Sequence, residues 1–130
     1  MQKDIFSQIV KGELPCHKIY EDASTMAFLD IHPVQPGHTL VIPKNPVEFV
    51  WDLSADDYES VMKTAKITAL RLREVLGVPY VGEQVVGNDV PYAHIHLIPF
   101  TTLDEFRNIP DMSSSPDHSA LAIIANKLRF

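Results

Sequence analysis

Cysteine is almost missing from this chain: Cys16 is the single one in 130 residues. That rules out an intramolecular disulfide and a Cys-rich metal centre, and the expected setting is a reducing cytoplasm. Positive charge is also scarce. Eleven Lys and Arg face seventeen Asp and Glu, a net charge of −6, so no basic face exists to neutralise a run of phosphates. Nucleic acid is therefore not expected as a partner. A small phosphate-bearing molecule is still admissible, because a local site can hold one. No apolar run approaches membrane-spanning length, and Met1-Gln2-Lys3-Asp4 has no apolar segment behind it. Neither a membrane association nor a secretory leader is expected. Repeats, low-complexity tracts and interdomain linkers are lacking too. What remains is 45% apolar and 22% charged, ordinary for a soluble globular protein and enough for one domain over residues 1–130 with one core.

Periodicity gives the elements. Ile5, Phe6, Ile9 and Val10 recur at helical spacing, predicting a short helix over residues 4–10, with Asp4 as cap or first-turn acid and Gly12 and Pro15 ending it. Strand-like runs follow over residues 17–21 and 25–31, joined by a turn at Asp22-Ala23-Ser24. Pro36-Gly37 suits the centre of a type II turn before a third strand over 38–43. Residues 55–76 form a long helix. Ser54 caps it, Tyr58, Val61, Met62, Ala65, Ala69, Leu72 and Leu76 make its apolar stripe, and Gly77 and Pro79 stop it. A fourth strand is expected over 80–86 and a helical turn over 104–108. A last amphipathic helix has Ser115 as N-cap and Pro116 at its first position. Met26, Met62 and Trp51 look like packing residues; His17, His32 and His118 look like surface or turn residues. The order α-β-β-β-α-β-β-α predicts an α+β fold, an antiparallel meander of about five strands with one long helix and short terminal helices.

The chemistry concentrates in residues 91–99, Pro-Tyr-Ala-His-Ile-His-Leu-Ile-Pro. Alternation predicts a strand in which Tyr92, His94, His96 and Ile98 share one face and Ala93, Ile95 and Leu97 the other. Paired histidines on a β face admit three readings: incidental polar decoration, two ligands of a metal, or catalysis.

Three segments together resemble the histidine triad (HIT) superfamily: Ile5-Phe6-Ser7-Gln8-Ile9-Val10-Lys11-Gly12-Glu13-Leu14-Pro15, then Ala27-Phe28-Leu29-Asp30-Ile31-His32-Pro33 with Pro36-Gly37-His38-Thr39-Leu40-Val41-Ile42-Pro43-Lys44, then the histidine strand. The match covers roughly residues 4 to 100. The resemblance implies a nucleotide-binding homodimer that cleaves a phosphoanhydride or phosphoramidate at an α-phosphate, with a purine nucleotide or nucleotide conjugate as partner. His94 stands at the position of the family's nucleophile and His96 at that of the third histidine, which contacts the phosphate or leaving group. Asp30 matches the acid that holds the ribose. Phe6, Ile9, Phe28 and Ile31 match the lining of the base pocket. Gly87 falls where a glycine lets the backbone approach the phosphate, beside Asn88. His38 matches the histidine of the Pro-Gly-His segment, either touching the ligand or supporting the site.

The departures carry information as well. Tyr92 occupies the place of the triad's first histidine, filling space there or contacting substrate. Where many bacterial relatives hold structural zinc, this chain has Asp4, Ser7, Pro46 and Tyr92, so structural zinc is expected to be absent. No cofactor is required by the chemistry, although Mg²⁺ is compatible with a polyphosphate substrate. Asp89 near a phosphate would repel it, which keeps open an alternative: a nucleotide-binding protein with little or no turnover.

Overall fold

The computed structural model describes residues 4–130. Its elements are α1 (Ile5–Val10), β1 (Lys18–Glu21), β2 (Thr25–Leu29), β3 (Thr39–Pro43), a 3-10 turn (Val50–Asp52), α2 (Ala55–Leu76), β4 (Tyr80–Gln84), β5 (Ile95–Phe100), α3 (Leu103–Phe106) and α4 (His118–Leu128). The five strands form one antiparallel sheet in the order β1-β2-β3-β5-β4, an α+β architecture as expected. The meander is interrupted. After β3 the chain crosses through α2 to the far edge, lays down β4, and returns to insert β5 beside β3.

Helix ends are fixed by their caps. Asp4 accepts from Ser7 N at 2.7 Å and opens α1. Ser54 accepts from Asp57 N at 3.1 Å and opens α2, which ends on Gly77 at φ +65°, where a side chain would be strained. Gly37 has φ +91°, and a Cβ there would come within 2.5 Å of Leu76 Cδ1, so the turn into β3 needs glycine for both reasons.

Side chains alternate across the sheet and build two cores. Ala27, Leu29, Val41, Ala93, Ile95 and Leu97 face Val61, Ala65 and Leu72 of α2 and Leu121, Ala125 and Leu128 of α4. On the other face, Met26, Phe28, Leu40, Ile42 and Tyr92 pack against Phe6 and Ile9 of α1. Burying each such side chain contributes roughly 1.5–3 kcal/mol, so the small α1 is held by packing rather than by helix propensity.

Several expectations change. Residues 91–94 are not strand: β5 starts at Ile95, because its ladder with β3 ends at the Val41–Ile95 pair and Ala93 N donates to Val47 O instead. β2 stops at Leu29 and β4 at Gln84. The cap of α4 is Asp117, accepting from Ala120 N, not Ser115. The buried face of α2 includes Thr64 and Thr68, with Thr64 Oγ1 2.7 Å from Thr25 Oγ1, while Tyr58 is exposed. Trp51 is 74% exposed and packs no core. None of the helices among the described residues is long and apolar enough to cross a membrane.

Candidate active site

The first four residues of the histidine segment are fixed from below. Tyr92 is buried, and its hydroxyl donates to Pro43 O at 2.6 Å. Burial holds the phenol up to about 12, so it stays a neutral donor. The phenol thus fills space on the α1 side of the sheet. Phe6 stacks edge-on against Phe28, Tyr92 and His94, with centroids at 5.4, 6.1 and 5.2 Å.

That packing leaves the Tyr92 carbonyl aimed at the next histidine. His94 Nδ1 donates to Tyr92 O at 2.6 Å, so a neutral ring carries its lone pair on Nε2. A second chain of bonds fixes His96. Val34 N–H donates to His38 Nδ1 at 3.0 Å, so the proton of His38 sits on Nε2. That nitrogen donates to His96 Nδ1 at 2.9 Å, which leaves the proton of His96 on Nε2. Burial, followed by the neighbouring His94, lowers His38 to about 4. Burial, followed by His38 and His94, lowers His96 to about 4 as well. Both rings are therefore neutral near pH 7. His94 and His96 lie with centroids 4.9 Å apart, and the buried Nε2 atoms of both lack an aligned hydrogen-bond partner. The pair offers one lone pair and one N–H, side by side.

Two carboxylates flank it. Asp30 Oδ1 accepts from His32 N at 2.9 Å, and Oδ2 lies 3.6 Å from His38 Nε2. Burial raises its carboxyl, against the His32 N–H bond and the nearby His96, which lower it. Asp89 Oδ1 lies 3.1 Å from His94 Nε2, close enough for an ion pair but without hydrogen-bond alignment. His94 is only 2% exposed, whereas the Asp89 side chain is 52% exposed and sits at the mouth. Access to Nε2 requires Asp89 to yield.

Metal binding was one reading of the paired histidines. Asp30, His38 and His96, and separately Asp89, His94 and His96, place ligand atoms within 4.8 Å of one another. In the first set, His38 Nε2 and His96 Nδ1 already satisfy each other. In the second, the proton on His96 Nε2 leaves only two free lone-pair donors. Neither set, as bonded, presents the three protein ligands of a typical catalytic centre.

Of the residues singled out from sequence, Phe6, Ile9 and Phe28 come together beneath His94, and Asp30, His38, His94 and His96 form one cluster. Phe6, Ile9 and Phe28 are buried core residues. Ile31 is not with them: it is 43% exposed and lines a hollow with Pro33, Val34, Pro36 and Leu121. Gly87 has φ +87°, and a Cβ there would meet only Phe49 at 3.6 Å, so backbone conformation, not crowding, calls for glycine. Asn88 is exposed in the same bend. The contact that sequence reasoning missed is that of Asp89 with His94. Asp89 stood out as a misplaced charge, but only the bend over residues 87–90 turns it onto the ring.

Known proteins bear on this geometry. Residues 11–103 match the family model described as HIT domain. An uncharacterized HIT-like protein of Borreliella burgdorferi is 37% identical over 109 residues, 78% of each chain. The adenosine 5'-monophosphoramidase hnt1 of Schizosaccharomyces pombe is 36% identical over 96 residues, 73% of this chain and 72% of that one. Among solved structures, a HIT-like protein involved in cell-cycle regulation from Bartonella henselae superposes with a TM-score of 0.84 at 26% identity, over 98% of this chain and 95% of the other.

Proposed function

This chain belongs to the HIT domain family, and from that premise we propose that it is a nucleotide hydrolase or nucleotidyl transferase working through His94. The observation that carries the reading is the 2.6 Å bond from His94 Nδ1 to Tyr92 O, which presents the Nε2 lone pair beside the N–H of His96. An adenosine 5'-monophosphoramidase among its relatives supports the same class.

In this reading Nε2 attacks the α-phosphorus of a purine nucleotide or nucleotide conjugate, and the bond to the leaving group breaks with its electron pair. His96 Nε2–H donates to a phosphoryl oxygen as charge builds there, and being neutral it does so without binding the anion too tightly. Water then attacks the nucleotidyl-histidine and frees the nucleotide. Asp30 holds the ribose, the exposed Ile31 next to it meets the base, Phe6, Ile9 and Phe28 support the site from the core beneath His94, and Gly87 and Asn88 contact the phosphate by backbone. His38 acts through His96 as its proton anchor. No metal is needed for these steps, with Mg²⁺ accompanying only a polyphosphate. Incubation with an adenosine phosphoramidate followed by an alkaline quench should yield an intact mass heavier by one adenylyl group, mapped to His94. Turnover without any such adduct would overturn the covalent route. Nucleotide binding with no turnover would favour the alternative of a binding protein, which the burial of His94 beneath Asp89 recommends as the second reading.

Tyr92 stands here at the first triad position, and the zinc-free reading is supported by how the replaced positions are occupied. Asp4 bonds Ser7 through both carboxylate oxygens, and Tyr92 bonds Pro43 O. The homodimer is supported by the open edge of β4, where Glu83 and Gln84 line a hollow with the exposed Trp51 and Tyr58. One purified sample should give two chains by light scattering and no stoichiometric zinc by elemental analysis. A monomer or one zinc per chain would overturn the respective expectation.

A further inference from the structure

We propose that Gln35 and Asn108 are positioning residues: by tying the turn at residues 32–35 to the segment 105–108, they fix the direction of the His38–His96 hydrogen bond and with it the donor on His96 Nε2. A bond between His38 Nε2 and His96 Nδ1 forms equally well with the proton on either nitrogen. With the proton on His38, the one proton of a neutral His96 sits on Nε2 and is offered to a phosphoryl oxygen. With the proton on His96, His38 carries its own on Nδ1, and His96 Nε2 is a bare lone pair that repels that oxygen. Asp30 Oδ2, 3.6 Å from His38 Nε2, is too far to hydrogen-bond and decide between them. The choice falls to Val34 N–H, which donates to His38 Nδ1 at 3.0 Å and so bars a proton from that atom.

Val34 N–H is aimed by its turn, and the turn is held from outside. Asn108 Nδ2 donates to Val34 O at 3.3 Å, and Gln35 Nε2 donates to Glu105 O at 3.0 Å. The Gln35 carbonyl accepts from His38 N at 3.0 Å. One residue thus grips α3 with its side chain and the histidine with its backbone. A separate tie serves Asp30: His32 Nε2 donates to Ser114 O at 3.1 Å, and His32 N donates to Asp30 Oδ1.

The anchor for these ties is stiff. Thr102 and Glu105 form a capping box, and Glu105 Oε1 accepts from Thr101 N and Thr102 N at 2.7 and 3.1 Å. Phe106 packs on Phe100 with centroids 5.1 Å apart, and it lies so close over Gly82 of β4 that a Cβ there would come within 2.1 Å of its ring. Glu105 and Asn108 both lie past residues 11–103, so the brace comes from outside the part matched to the HIT domain.

The tautomers follow from the hydrogen bonds alone; their effect on turnover rests on the reading of His94 and His96 given above. Gln35→Met keeps the reach of the side chain without its donor, and Asn108→Ala removes the other. Ring-nitrogen NMR of isotope-labelled histidines near neutral pH should show His38 and His96 of the native chain protonated on Nε2 alone. In the double variant both should move toward protonation on Nδ1. Its kcat on an adenosine phosphoramidate should fall by about 5- to 30-fold, the worth of one or two hydrogen bonds. KM should change less than about twofold, because Asp30 keeps its own bond to His32 N. An unchanged thermal midpoint checks folding; if it falls, the two single variants replace the double one and should shift the rings in the same direction. Native tautomers in the variants would overturn the inference whatever the rate, as would native rings protonated on Nδ1. Shifted tautomers with an unchanged kcat would overturn the role in turnover. No turnover by the native chain, with no adduct on His94, would instead overturn the reading of function, and the ring spectra would still decide the tautomers.

Discussion

Replacing His94 by asparagine is expected to reduce turnover of an adenosine phosphoramidate by about 10⁴-fold or more, the scale seen when a nucleophile is removed from a catalytic unit. Binding of AMP should stay measurable. Asparagine can still donate to Tyr92 O from its side-chain amide, so the segment need not rearrange, while no lone pair of comparable nucleophilicity faces the phosphorus. Calorimetry with AMP and a steady-state assay on the same preparation separate the two effects. A variant retaining a tenth of native kcat would remove His94 from the chemistry, whatever happened to binding.

The second large effect is on stability in acid. His38 and His96 are each lowered to about 4 in the fold, against about 6.5 for an unperturbed histidine. The folded pKa values lie below the unfolded ones, so between pH 6.5 and 4 the unfolded chain binds more protons than the native one. The stabilisation is complete above 6.5 and is lost as pH falls toward 4. A displacement of that size corresponds to about 3 kcal/mol for one ring, and the two rings share a single hydrogen bond, so their effects should sum to less than twice that. Against a total stability of about 5–15 kcal/mol this is a large fraction. Protonation also has a structural reason to be costly: a proton on His38 Nδ1 displaces the Val34 N–H, and one on His96 Nδ1 confronts the proton of His38. Urea melts at several pH values should show stability falling across this window, with the slope flattened in a His38→Gln, His96→Asn double variant. Asp30, raised by burial, works in the opposite direction and is common to both chains. Equal slopes in the two would refute the assignment.

Much of the frame was legible because local signals and packing agree. The bounds of α2 follow from Ser54 before it and Gly77 after it, and both cap as their chemistry requires. Alternation put Ala93, Ile95 and Leu97 on one side and Tyr92, His94 and His96 on the other, and the two cores divide that way. What escaped depends on which strand lies next to which. β5 begins at Ile95 although β3 runs on through Ile42 and Pro43, because the preceding segment turns its bonds elsewhere, Ala93 N to Val47 O and the Tyr92 hydroxyl to Pro43 O. Thr64 is buried because α2 crosses the sheet beside Thr25, so a hydroxyl pair replaces an apolar contact. Trp51 is exposed because its short 3-10 turn inserts Val50 into the core instead. In the site, the side-by-side placing of His94 and His96 could be read from the His-x-His segment. The protonation pattern could not, since it depends on Val34 and His38 arriving from another part of the chain.

The late start of β5 sets apart the two rings proposed to work on the phosphate. His96 belongs to a strand bonded on both flanks, to Leu40 in β3 and Gln84 in β4, so its donor is part of a stiff frame. His94 lies one residue outside that frame, tethered through its own Nδ1 and the single amide of Ala93. A reacting nitrogen must close from about 3–3.5 Å to bonding distance, a travel of more than 1 Å. In the proposed reaction the ring that advances is thus the one outside the sheet ladder, and the ring that waits is the one held within it.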